Sequence, residues 1–141
     1  MTELFSCTIH CRNLKQSFFN RLTPQVILVS PDPFIQIRVP RTEVLPSGTL
    51  NPNFVQKISF VADPSRNPTA SLHFQLWDIN APARVDDLNK QALHAVAHFP
   101  LHDLLAEPLF EHDLVSAKDG DEAGRISLIT SRQPLASVCR S

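Results

Sequence analysis

Leu72-His73-Phe74-Gln75-Leu76-Trp77-Asp78-Ile79-Asn80, with Asp86 further on, decides how this chain is read. Leu72, Phe74 and Leu76 alternate with His73, Gln75 and Trp77, the period of two that marks a strand with one buried face. A second run has the same period: Phe54, Gln56, Ile58 and Phe60 alternate with Val55, Lys57, Ser59 and Val61.

Outward from these runs, the spacing predicts eight strands, at residues 3–11, 33–39, 41–45, 54–61, 71–77, 91–99, 110–115 and 125–130. A single short helix is expected from Leu101 to Glu107, after Pro100. Twelve prolines against three glycines punctuate the apolar segments. Proline lacks the amide donor that a central strand needs, so it collects in turns and at strand ends. Short strands divided in this way predict an all-β fold, an eight-stranded antiparallel β-sandwich. At 141 residues the chain is one domain by length, with a core large enough to need no metal or disulfide staple. The domain is expected over residues 1–130, and residues 131–141 are read as a tail or linker without a strand partner.

Composition excludes several classes. A hydrophobic share of 43% with 19% charged residues is that of a globular domain, not a disordered chain. The net charge of −1 gives no footprint for nucleic acid. No apolar run approaches the roughly 20 residues of a membrane span, and Met1-Thr2-Glu3-Leu4 does not read as a secretory signal. Cys7, Cys11 and Cys139 are too few and too oddly spaced for a disulfide framework, which suits a reducing, cytoplasmic compartment. On a strand Cys7 and Cys11 share the face of Phe5 and Ile9, so they are expected as buried thiols rather than metal ligands.

The triplet His94, His98 and His102 would line one face of a helix, but the segment reads as a strand. There, four residues span roughly 13 Å, too far for one ion. Asp119-Gly120-Asp121-Glu122 lacks the later ligands of a calcium loop and reads as a solvated turn. No nucleophile elbow or phosphate-cradling glycine loop is present, so the chain is not expected to be an enzyme.

Three motifs together resemble the C2 domain family. Pro31-Asp32-Pro33-Phe34-Ile35-Gln36-Ile37 resembles the segment that closes the family's first calcium loop. Thr49-Leu50-Asn51-Pro52-Asn53-Phe54 is similar to its T-L-N-P-x-F turn, and Asp78-Ile79-Asn80 with Asp86 to its third loop. Within the family the first C2 domain of copines is most similar, through Cys11-Arg12-Asn13-Leu14, Arg41-Thr42-Glu43-Val44 and Leu72-His73-Phe74. The resemblance implies the permuted type II strand order and further domains following in the natural chain.

It also implies a calcium site and a membrane partner. Calcium takes six to eight oxygen ligands, which clustered loop carboxylates supply. The matching positions are Asp32, Asp78 and Asp86, with Asn80 keeping an oxygen but no charge. Val26 stands where the first acidic ligand belongs, so at most one weak calcium site is expected. Val26, Ile27 and Leu28, between Pro24 and Pro31, fall where C2 domains carry a membrane-facing loop and are the candidate lipid contacts, although the reading that they extend a strand or pack beneath a long loop is the favoured one. Arg12, Lys15 and Arg21 would face anionic phospholipid. The expected function is therefore peripheral docking of a cytoplasmic C2 domain on an anionic membrane surface, weakly assisted by calcium. The alternative is a calcium-independent C2 scaffold for protein partners.

Overall fold

Along Glu3–Arg12 (β1), Phe5, Cys7, Ile9 and Cys11 are buried in turn, and the residues between them are half-buried. That alternation is the sequence period made physical. The computed structural model describes residues 2–15, 22–31, 34–39, 50–54, 56–79 and 91–134. Beyond β1 they form Leu22–Pro31 (β2), Phe34–Val39 (β3), Ile58–Ala62 (β4), Ser71–Asp78 (β5), Ala92–Pro100 (β6), Leu109–Ser116 (β7) and Glu122–Pro134 (β8). A five-residue helix, Leu101–Leu105 (α1), follows β6.

All the pairings are antiparallel, in the order β3-β2-β5-β6-β7-β8-β1-β4. Between β6 and β7 only Ala95↔Ser116 and Val96↔Val115 are in register. There the order folds over, and β3-β2-β5-β6 faces β7-β8-β1-β4. One core cluster is shared by the two halves: Phe5 and Ile9 of β1, Leu72, Phe74 and Leu76 of β5, and Ile126 and Leu128 of β8. Each large side chain buried there contributes about 1.5–3 kcal/mol by leaving water. Phe5 also stacks on Phe60 of β4 at 5.3 Å between ring centroids, and Leu101 and Leu104 of α1 close one end.

Two expectations are corrected. Residues 22–31 are a strand. Val26, Ile27 and Leu28 lie in the middle of β2, between β3 and β5 (Val26↔Val39, Val26↔Phe74). Val26 and Leu28 are buried in the core, so no loop tip forms there. Among the described residues Pro24 pairs with Leu76 alone, the described β3 ladder starting at Val26, and a proline is tolerated where no ladder needs its missing amide. Gln25 then takes over where β3 ends, its Nε2 donating to the carbonyls of Val39 (2.8 Å) and Val26 (2.9 Å).

The chain end also differs from expectation. Residues 131–134 continue β8 against β1, from Ser6↔Ser131 to Glu3↔Pro134. Arg132 holds the Glu3 carboxylate through Nε (2.9 Å) and Nη2 (2.6 Å). The expected strand at 41–45 and the tail from 135 lie outside the described residues.

Candidate functional site

At one end of the sandwich the chain leaves β1 at Arg12 and is tied down at once. Asn13 adopts a left-handed φ of 56°, and its amide donates to Asn51 Oδ1 at 2.9 Å. The amides of Cys11 and Leu14 donate to the carbonyls of Pro52 and Leu50, both at 2.9 Å. The Leu50-Asn51-Pro52-Asn53 segment therefore runs beside the end of β1, and His10 Nδ1 meets Asn53 Oδ1 at 2.7 Å. From the other side β8 comes in very close. A Cβ on Gly124 would lie 2.7 Å from the Arg12 carbonyl and 3.0 Å from that of Asn13, and Gly124 itself has φ +121°. Glycine is needed here for both space and conformation.

Lys15 completes the segment. Its amide donates to Ala123 O at 3.2 Å, and its own carbonyl meets His94 Nε2 at 2.7 Å. Its ammonium pairs with Asp119 in the β7–β8 turn at 3.2 Å. Asp119 is held below the usual carboxylate range, first by the Asp121 amide and then by Lys15. Arg12 differs: its guanidinium donates to the carbonyls of Cys11 (2.7 Å) and Asn51 (3.5 Å). Neutral acceptors leave the charge in place, so among the described residues the Arg12 guanidinium meets carbonyl oxygens whereas the Lys15 ammonium meets a carboxylate. Arg125, opposite Arg12 in the β1–β8 ladder, is taken up by Asp113 at 2.7 Å and Glu111 at 3.4 Å.

Asp78 ends β5 at this same end of the molecule. It pairs with Ala92, two residues before the His94 that holds Lys15, and only 2% of its surface is exposed. Of the other expected ligands and contacts, Asp32, Asn80, Asp86 and Arg21 lie outside the described residues. The neighbours of Asp32 are informative. Pro31 pairs with Phe34 where the β2–β3 hairpin closes, whereas Asp78 pairs with Leu22 at the opposite end of β2. β2 runs ten residues between those ends, roughly 30 Å at strand rise. The described residues thus carry the segment before Asp32 away from Asp78. Among them no three His, Cys, Asp or Glu side chains converge as a metal site.

Cys7 and Cys11 are buried free thiols. Burial pushes the Cys11 thiol up to about 12 and raises Cys7 as well, against a contact with Thr130 that lowers it. His94 and His98 lie on β6 and His102 on α1, with Pro100 between. Sequence reasoning missed the part His94 and Gly124 play in fixing the basic segment. The available signal was the placing of two of the chain's three glycines around one acidic turn.

The C2 domain family profile matches residues 3–113. A solved C2 domain superposes with a TM-score of 0.59 at 13% identity, over 95% of this chain and 100% of the other. The BON1-C2B structure gives 0.54 at 16% identity, over 94% and 92%. Human GIVD cytosolic phospholipase A2 gives 0.51 at 13% identity, over 94% of this chain but 18% of that one. No curated protein matches the sequence. With a profile spanning most of its length and the sandwich to go with it, the chain belongs to the C2 domain family.

Proposed function

We propose that this C2 domain docks peripherally on anionic phospholipid at the cytoplasmic face of a membrane, with calcium contributing little. The observation that carries this reading is the end of β1, where among the described residues the Arg12 guanidinium meets only carbonyl oxygens, with Lys15 three positions on in a tightly tied segment. A fixed cation near an anionic surface contributes on the order of 1 kcal/mol. The similarity of Cys11-Arg12-Asn13-Leu14 to copine C2 domains points the same way. Calcium is given a minor part because the described course of β2 carries the segment before Asp32 away from Asp78, and among the described residues no three His, Cys, Asp or Glu side chains converge. Asn80 and Asp86, if they join Asp78, supply one further negative charge, enough for one weak site.

A second reading, a scaffold for protein partners, is favoured by a different observation. Leu109 and Ile129 face each other on adjacent strands and are 46% and 47% exposed, on a sheet face that also carries the Ser6–Ser59 contact.

Co-sedimentation with phosphatidylserine-containing and neutral liposomes, each in calcium and in chelator, separates these. Docking as proposed gives binding to anionic vesicles in both buffers, changed less than about threefold by calcium. Binding that appears only with calcium overturns the minor role of the ion. Absence of binding to any anionic vesicle overturns the membrane reading and leaves the scaffold.

A further inference from the structure

The β5–β6 ladder sets His73 directly opposite His98. Their strand neighbours Leu72, Phe74, Ala97 and Phe99 are buried in the core, so both imidazoles stand on the outer face of this half of the sandwich. The rings stack with centroids 4.0 Å apart and planes 15° from parallel. Position opposite one another in an antiparallel pair fixes the two Cβ atoms about 4.5–5.5 Å apart. The ladder, not a flexible loop, therefore holds the spacing of the two rings.

The surroundings of the pair decide its chemistry. Across the sheet the row continues to Ile27 on β2 and Arg38 on β3. Along the strands, Ser71 and Gln75 flank His73, and Val96 and Pro100 flank His98. Arg38 is the one charged group among these, and no carboxylate stands among them to balance an imidazolium. Burial, and then the neighbouring His98, hold His73 below the ordinary histidine range. Near neutral pH the His73 ring is thus favoured in the neutral form, which has a lone pair to donate.

We propose that His73 and His98 form a two-imidazole site for a divalent first-row transition-metal ion of the zinc or copper class. The terminal torsion of a histidine is broad. A modest turn of each ring opens the stack into a wedge that aims one nitrogen from each at a common point, at the roughly 2.0–2.1 Å of a metal–imidazole bond. Water completes the coordination, and exposure of His98 gives the ion access. Imidazole nitrogen suits zinc, copper and nickel, whereas calcium requires hard oxygen ligands. The site is therefore independent of any calcium bound at the loop end.

The test is calorimetric titration of the full, metal-stripped chain with zinc chloride and with copper chloride, at neutral pH in a non-chelating buffer. Melting curves are recorded alongside. The site predicts saturable binding that raises the melting temperature, since a ligand selective for the folded state stabilises it. His73→Gln and His98→Gln should each weaken binding about tenfold or more, equivalent to about 1.4 kcal/mol. His102→Gln, on the exposed helix, should leave it unchanged. Protons compete for the same nitrogens, so affinity must also fall as the pH is lowered through the histidine range. The exposed His98 variant separates loss of ligand from loss of fold, because its melting temperature without metal should match the parent. Equal affinity in the parent and both pair variants would overturn the site, as would the absence of any binding by the parent.

Discussion

Leu22 stands opposite Asp78 in the β2–β5 ladder, and the strand that begins at Leu22 ends at Pro31, at the far end of the sandwich. The chain between β1 and the Pro31-Asp32-Pro33-Phe34 motif is not one long loop at the end where Asp78 lies. Part of it crosses the molecule as a core strand before that motif is reached. A calcium centre needs several oxygens within bonding distance of one ion, so the course of β2 bears directly on whether calcium matters here.

The first prediction concerns β2 itself. Leu28 is a core residue paired with Leu72 and Ile37. Leu28→Ala should lower the free energy of unfolding by about 2–3 kcal/mol, towards the low end for such truncations because Leu28 lines a surface groove with Ile37, Val61 and Ala70. Chemical denaturation measures it. A lipid-inserting loop residue would instead leave stability unchanged and reduce liposome binding.

The glycines of the β7–β8 region should behave very differently from each other. Gly120 has φ +76° but open space around it, and Gly124 has φ +121° with backbone atoms in the way. Gly120→Ala should cost about 1–2 kcal/mol, the ordinary cost of a left-handed residue. Gly124→Ala should cost more than about 3 kcal/mol and displace residues 12–15, because backbone strain and a backbone clash act together. Thermal melts and backbone amide shifts of Asn13 and Lys15 report both effects.

Charge removal at the end of β1 tests the docking surface. The double variant Arg12→Gln with Lys15→Gln should weaken binding to anionic liposomes about five- to thirtyfold, somewhat less than two free cations would give because Lys15 is paired with Asp119. Raising the salt concentration should weaken the parent more than the variant.

A further prediction follows from the sign of the His73 shift. Its folded value lies below the ordinary 6.5, through burial first and His98 second. Between those two values the unfolded chain binds the extra proton, so stability rises with pH. The contribution is fully present above 6.5 and is lost as the pH falls through 6.5 towards the lower folded value. Melting temperatures at about pH 7.5 and about pH 5.5 should therefore fall less in His73→Gln than in the parent.

Much of the fold was legible because burial imposes a period on sequence. Leu72, Phe74 and Leu76, and Phe5, Cys7, Ile9 and Cys11, alternate as strands and are buried as such. The segment 22–31 hid its strand for two physical reasons. Val26-Ile27-Leu28-Val29 is apolar throughout, so it shows no alternation, and Pro24 and Pro31 make it look like a loop. Among the described residues Pro24 pairs with Leu76 of β5 alone, and Pro31 takes the strand end. The last residues of β8 were hidden because Ser131, Arg132, Gln133 and Pro134 are polar or turn-forming; they pair with β1 all the same, and Arg132 is anchored to Glu3. Asp78 stands at the end of β5. What the family motifs could not convey was register: the pairing of Leu22 with Asp78, or of His73 with His98, depends on which strands become neighbours.

The most direct test of the central claim, that the hairpin leading to Asp32 lies far from Asp78, is a distance measured between two spin labels. One is placed at Gln36, exposed on β3 near that hairpin, and the other at Ala92, the partner of Asp78, in a Cys139→Ser background. Pulsed electron resonance should give a distance of roughly 25–35 Å, unchanged by calcium, as the strand rise along β2 requires. A distance below about 15 Å, or one that collapses when calcium is added, would contradict the account and restore a shared calcium centre.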